Sequence, residues 1–238
     1  MTEAKLRQAL VQSCRELERL QINQGTSGNL SVRLDDTMLI TPSGIPYDRL
    51  TPEMIAAMPL TANDGTWTGP QKPSSEWRMH LDILRARPDG AVVHTHSVYA
   101  TALSMLREDI PAAHYMIAAF GGSNVRCTPY APYGTQELSD LVVEGLRDRY
   151  GVLLGQHGMV VTGRDLGQAL WRAVELETLA KMYVIARGIG RPHILPDEEI
   201  ALTVERFKSY GYQSDAVAAL TAPVPRERPA KKSRPKKD

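Results

Sequence analysis

The chain has 238 residues, 42% hydrophobic and 23% charged, which is the make-up of an ordinary globular protein with room for a substantial core in one large domain or two small ones. No apolar run approaches the roughly 20 residues of a membrane-spanning helix, and Met1-Thr2-Glu3-Ala4-Lys5 lacks the apolar stretch of a secretory signal, so no membrane partner is expected and the expected address is the cytoplasm. The net charge of +1 divides unevenly: residues 222–238 carry seven Lys or Arg against Glu227 and Asp238, leaving 21 basic and 25 acidic residues in a body of −4 that is unsuited to general nucleic-acid binding.

Leu6, Leu10, Cys14, Leu17 and Leu20 recur at intervals of three and four, which predicts an amphipathic helix over residues 2–21. Gly25-Thr26-Ser27-Gly28-Asn29 follows, a small-residue turn whose uncovered backbone N–H groups suit an anion, although most such turns are only turns. Leu30–Leu34 and Met38–Ile40 pair as a hairpin about Asp35-Asp36, and Thr41-Pro42-Ser43-Gly44-Ile45-Pro46 is a second small-residue turn. Because the ends of a hairpin are neighbours, the two turns are expected to face one spot.

Thr51-Pro52-Glu53 reads as a short helix start, and Asn63-Asp64-Gly65 as a hairpin turn between Ile55–Leu60 and Trp67-Thr68. Pro73-Ser74-Ser75-Glu76-Trp77 opens a helix to about Arg87, with Trp77, Leu81 and Leu84 as its inward stripe. Free N–H groups beside Ser74 and Ser75 offer a third anion site. For Glu76 the plainer role is an acid that offsets the helix dipole, and for His80 that of a partly exposed helix residue.

Ala91–Thr95, entered from the turn Pro88-Asp89-Gly90, reads as a buried strand. Side chains alternate across a strand, so His94 and His96 share one face and can share one metal ion; equally, one can be a hydrogen-bonded core histidine and the other a loop residue. Helices are expected over Val98–Leu106 and from about Gln136 to Tyr150, with loops at Gly121-Gly122-Ser123 and Tyr130–Thr135. Val152–Gly158 reads as a strand that delivers His157 between glycines, where a ligand can approach closely. The longest helix is expected from Asp165 to about Arg187, closed by Gly188 and Gly190, and a last one from Pro196 to Tyr210. Residues 222–238, rich in Pro and Lys, are expected to form a disordered tail after a domain of residues 1–221. Cys14 and Cys127 lie far apart without Cys-x-x-Cys spacing, which argues against a disulfide scaffold or a thiolate zinc site.

Three histidines, two from one strand and one from a strand end, suit a catalytic divalent cation with positions left open for substrate. Three anion-binding turns beside them imply a phosphorylated substrate whose oxygens chelate that cation.

The segments Gln24–Asn29, Thr41–Tyr47, Pro73–Arg78, Val93–His96, Ile110–Ala119 and Lys208-Ser209-Tyr210-Gly211 resemble, in order and spacing, the class II aldolase/adducin family, and within it the enzymes that cleave L-fuculose 1-phosphate. The resemblance runs from about residue 5 to Gly211. It implies an α/β fold, a three-layer α/β/α sandwich around a largely antiparallel sheet, and a homotetramer with active sites between subunits. It implies Zn²⁺, or a cation such as Mn²⁺ or Co²⁺, on His94, His96 and His157, with Glu76 as an acid/base that also touches the metal when substrate is absent. Thr26, Gly28, Asn29, Ser43, Gly44, Ser74 and Ser75 fall at or beside the family's phosphate-binding positions. Tyr115 and Tyr210 match tyrosines that reach the aldehyde half, one or both from a neighbouring subunit. Tyr133 stands where phenylalanine is expected, an added hydroxyl near the aldehyde pocket.

The implied reaction is reversible cleavage of a ketose 1-phosphate, such as L-fuculose 1-phosphate or a 5-deoxypentulose 1-phosphate, to dihydroxyacetone phosphate and an aldehyde. A cation on the C2 and C3 oxygens holds the enediolate, Tyr115 handles the proton of the C4 hydroxyl and Glu76 that of C3. Pentulose-phosphate 4-epimerases, sugar-acid phosphate decarboxylases and methylthioribulose-phosphate dehydratases of the family share the three histidines; Glu76 and the Tyr115 segment favour aldol cleavage. An adducin-like binding module is expected to have lost the ligands. A Schiff-base aldolase needs a buried lysine, and none of Lys5, Lys72, Lys181 and Lys208 lies in an apolar run.

Overall fold

The computed structural model describes residues 1–209. Its helices are α1 (Glu3–Arg19), α2 (Trp77–Ala86), α3 (Val98–Leu106), α4 (Gln136–Gly145), α5 (Leu166–Ile189) and α6 (Asp197–Ser209), with single turns of 3₁₀ helix at Pro52–Met54 and a longer one at Tyr115–Phe120. The strands are β1 (Asn29–Leu34), β2 (Thr37–Ile40), β3 (Ala56–Pro59), β4 (Ala91–Thr95), β5 (Ile110–Pro111), β6 (Asn124–Cys127), β7 (Gly151–Leu154) and β8 (Gly158–Gly163). They form one eight-stranded sheet in the order β3-β2-β1-β4-β8-β7-β6-β5, antiparallel throughout except for the β6/β7 pair. The expected three-layer sandwich is what the chain builds.

Alternation along the strands divides the core. Leu30 and Val32 of β1, Ala91 and Val93 of β4, and Met159 and Val161 of β8 pack with α1, α3 and α5, while Val92, Val160 and Val152 pack on the other side with Leu81, Ile83 and Leu84 of α2 and Leu138 and Val142 of α4. The second face therefore also receives Asn29 and Ser31 of β1 and His94 of β4. Register completes the placement: Asn29 lies opposite His94, and His94 lies opposite Val160. The site thus sits at the sheet's middle, under α2.

Several expectations shift in detail. The helix expected to Tyr150 stops at Gly145, where a Cβ would meet Val152 Cγ2 at 2.6 Å, and the chain turns through Asp148 at φ +58° into β7. The hairpin about Asn63-Asp64-Gly65 contracts to one bridge, Ala57 with Thr68. Leu10, Cys14 and Leu17 of α1 are buried as expected, whereas Leu20 is exposed. Cys127 is only partly buried. Tyr210, the end of the last helix and the basic tail 222–238 lie outside the described residues. Among the described residues, no helix is long and apolar enough to cross a membrane.

Candidate active site

Backbone pairing brings the three turns together. Thr41 N–H donates to Leu30 O at 3.0 Å, Ser43 N–H to Lys72 O at 3.1 Å and Ser74 N–H to Thr41 O at 3.0 Å, so residues 41–44 lie between the other two turns. Tyr47, buried, donates through its hydroxyl to Gly28 O at 2.7 Å and accepts from Asn23 Nδ2 at 3.1 Å; Asn23 Oδ1 in turn accepts from His96 N–H at 3.3 Å. A Cβ on Gly28 would stand 2.7 Å from His94 O, so only glycine lets this turn lie against the histidine strand.

The result is a cleft of about 360 Å³ lined by Thr26, Gly28, Asn29, Ser43, Gly44, Ser74, Ser75, Glu76, His96 and His157, with Tyr130, Tyr133 and Gln156 also at its walls. No Lys or Arg is among these lining residues. The wall formed by the three turns therefore offers hydroxyls, an amide and backbone N–H groups, neutral donors that suit an anion.

The three histidines converge. Their ring centroids stand 4.8 to 4.9 Å apart in edge-on pairs, and their candidate ligand nitrogens all lie within 4.8 Å of one another. His94 Nε2 is 3.1 Å from His96 Nε2, a spacing that one small cation can bridge at bond lengths of about 2.0–2.1 Å. His94 Nδ1–H donates to Met159 O at 2.9 Å, which fixes the tautomer and leaves Nε2 with its lone pair toward the site. Gly158 makes room for the rings: a Cβ there would meet Thr95 O at 2.5 Å and His96 Cδ2 at 3.0 Å. This donor set suits a divalent cation.

Glu76 precedes α2 and turns inward, with only 4% of its surface exposed. Its Oε2 lies 3.1 Å from His94 Nε2 and accepts from Asn29 Nδ2 at 2.9 Å, while Oε1 lies 3.3 Å from His157 Nε2. Offsetting the helix dipole from the surface is therefore not its role. Burial by itself raises its carboxyl pKa, but the charge that His94 and His157 carry when protonated, together with the Asn29 amide, outweighs that and holds it well below the usual carboxylate range.

His80 departs furthest from expectation: it is fully buried, with Nδ1 2.7 Å from Ser31 Oγ and Nε2 2.5 Å from Asn29 Oδ1. The signal was present in the spacing, since His80 stands four residues after Glu76 and four before Leu84, on the inward stripe of α2. Gln156, in a left-handed conformation at φ +58° and held by Arg107, is a second cleft residue that pattern reading passed over. Tyr133 stands at the cleft but is 70% exposed. Tyr115 does not join the cleft of its own chain; it lines a separate cavity of about 590 Å³ with Met116, Trp171 and Glu175.

Burial pushes His96 and His157 down to about 4 and His80 down to about 3, with the charge of His94 adding to the effect. In His94 burial also opposes the charge, but Glu76 and the Met159 carbonyl win and the pKa rises. With metal removed by a chelator, the unfolded chain takes up protons below its ordinary value of about 6.5 on three imidazoles that resist them when folded, so stability falls as pH drops from about 6.5 toward 4. Glu76, lowered, adds loss at still lower pH; His94, raised, contributes in the opposite sense but is one group against three. Calorimetry of the chelated protein is expected to show a melting temperature that falls across this window. A constant or rising value contradicts the assignment.

Residues 8–184 match the class II aldolase and adducin N-terminal domain. The L-fuculose phosphate aldolase of Escherichia coli K12 is 47% identical over 213 residues, 89% of this chain and 98% of that protein. The 5-methylthioribulose-1-phosphate/5-deoxyribulose-1-phosphate aldolase of Rhodospirillum rubrum is also 47% identical, over 87% of this chain and 92% of its own length. Among solved structures, an L-fuculose 1-phosphate aldolase superposes with a TM-score of 0.83 at 40% identity, covering 87% of this chain and 98% of that one.

Proposed function

Because the chain belongs to the class II aldolase and adducin family, we propose a division of roles within its cleft for the aldol cleavage of a ketose 1-phosphate. The chain is an aldolase, a carbon–carbon lyase, and its products are dihydroxyacetone phosphate and an aldehyde. The observation that carries the reading is the meeting of His94, His96 and His157 around the Glu76 carboxylate, beside a cradle of neutral hydrogen-bond donors.

Thr26, Gly28, Asn29, Ser43, Gly44, Ser74 and Ser75 hold the phosphate, which places the C1 end of the sugar among the turns. His94, His96 and His157 hold a divalent cation, Zn²⁺ in our reading, with Mn²⁺ or Co²⁺ compatible with the same imidazole set. When bound, that ion supplies electrophilic stabilisation of the negative charge that develops as the C3–C4 bond breaks. Glu76, within reach of the histidine nitrogens and shielded from water, returns a proton to C3 in cleavage and removes it in synthesis.

The proton of the C4 hydroxyl is assigned to Tyr115, and the aldehyde half to Tyr115 and Tyr210 together with Tyr133 at the mouth. Tyr115 is 53% exposed and lines a cavity other than the cleft, which supports its delivery from a neighbouring subunit of a homotetramer. The reading places the enzyme in the cytoplasm, acting on small phosphorylated sugars.

Incubating the metal-loaded protein with L-fuculose 1-phosphate and with 5-deoxypentulose 1-phosphates, and measuring dihydroxyacetone phosphate, tests the reading directly. We expect release of that product from at least one of them, and the aldehyde that accompanies it identifies the preferred sugar. A C4 epimer in its place, or no three-carbon phosphate from any ketose 1-phosphate, overturns the assignment.

A further inference from the structure

Behind the cleft, three buried polar side chains run in line to the acid/base: Ser31 Oγ to His80 Nδ1 at 2.7 Å, His80 Nε2 to Asn29 Oδ1 at 2.5 Å, and Asn29 Nδ2 to Glu76 Oε2 at 2.9 Å. Ser31 and His80 are fully buried, and Asn29 and Glu76 are each 4% exposed. The direction of every hydrogen follows from the last group. A carboxylate only accepts, so Asn29 presents its NH₂ to Glu76; its Oδ1 then faces His80 and also only accepts, so the proton of the imidazole sits on Nε2. That leaves Nδ1 bare, and it accepts from the Ser31 hydroxyl. Burial, which pushes His80 down to about 3, keeps the ring neutral at working pH.

The two oxygens of Glu76 are thereby unequal. Oε2 is tied by Asn29, whereas Oε1, buried and 3.3 Å from His157 Nε2, makes no hydrogen bond among the described residues. We propose that Ser31 and His80 are positioning residues that, through Asn29, clamp Glu76 by Oε2 and reserve Oε1 for proton exchange with C3 of the substrate. The proposal rests on the acid/base reading of Glu76 above. In synthesis the C3–H bond of dihydroxyacetone phosphate breaks, the proton goes to Oε1 and the electron pair stays on the three-carbon fragment; in cleavage Oε1 gives the proton back to C3. Packing alone does not call for this arrangement. An apolar side chain at position 80 would complete the stripe formed by Leu81 and Leu84, and burying a polar chain is costly unless every member is satisfied.

The test uses the partial reaction that needs no aldehyde: exchange of the C3 hydrogen of dihydroxyacetone phosphate with D₂O, followed by NMR on metal-loaded protein and normalised to bound metal. His80→Leu is expected to slow exchange by about 10- to 100-fold, the usual cost of losing a group that orients a site residue. Half-saturation by dihydroxyacetone phosphate should stay within about threefold, since the loss falls on the chemical step. His80→Gln, whose amide can donate to Asn29 Oδ1, is expected to recover most of the rate. Ser31→Ala, a smaller change that keeps the core filled, should lose rate in the same direction and carries the test should His80→Leu fail to fold. In the metal-free unaltered protein, ¹⁵N shifts of the His80 ring should report the neutral Nε2–H tautomer.

Equal rates for His80→Leu and His80→Gln, an unaffected Ser31→Ala, or an Nδ1–H tautomer each overturn the proposal. A fully active Glu76→Gln removes the acid/base reading and this inference with it, whereas a slow Glu76→Gln beside a full-speed His80→Leu rejects the positioning role alone.

Discussion

Glu76→Gln is expected to retain metal and substrate while losing between about 10²- and 10⁴-fold in kcat, the range that one positioned acid/base supplies. The amide has nearly the shape of the carboxylate, and its oxygen can still accept from Asn29 Nδ2 where Oε2 does now. It cannot take or give a proton at C3. The three imidazoles are untouched, so metal content per chain should remain that of the unaltered enzyme and KM should move by no more than about threefold. Metal analysis paired with steady-state kinetics separates the two effects, and undiminished kcat rejects the role of Glu76.

The second large effect is loss of the cation through His157→Ala. His94 is fully buried and bonded to Met159 O, so its removal injures the fold as well as the site. His157 stands on the turn between β7 and β8 with 12% of its side chain exposed, and truncating it leaves both strands paired. Two histidines make a poor catalytic metal site, because such sites ordinarily hold the ion with three protein ligands. Metal affinity is expected to fall by more than the 10- to 100-fold typical of losing an outer partner, and turnover with it, while the chelated variant and the chelated parent melt at closely similar temperatures. Full metal content in the variant removes His157 from the ligand set.

Much of this site is legible in the sequence because strand alternation, flanking glycines and a hairpin do the placing. The period of two in Ala91–Thr95 puts His94 and His96 on one side, and the glycines around His157 mark the third histidine of the cluster. The hairpin Leu30–Ile40 predicted that the turns at its ends would be neighbours, and the Thr41–Leu30 hydrogen bonds make them so. Residue type alone puts His80 at the helix surface, whereas its position between Glu76 and Leu84 puts it on the inward stripe. Nothing local in the sequence tells that its ring meets Ser31 and Asn29, which lie 49 and 51 residues away. A helix-compatible run continues past Gly145, and what ends α4 is the approach of Val152 from β7. Tyr115 is half exposed and lines another cavity of its own chain, so no local pattern ties it to the cleft.

The strand that carries His94 is bonded on both flanks, to β1 and to β8, and the loop that carries Tyr130 and Tyr133 leaves those two rings 51% and 70% exposed. In the proposed division of roles, proton transfer is thus seated among the paired strands of the interior, and aldehyde contact, through Tyr133, on the exposed rim. Such a scaffold can drift toward a new acceptor aldehyde by rim substitutions that leave the unfolding free energy nearly untouched. It is in keeping with this that relatives named for two different sugar phosphates stand equally near the chain.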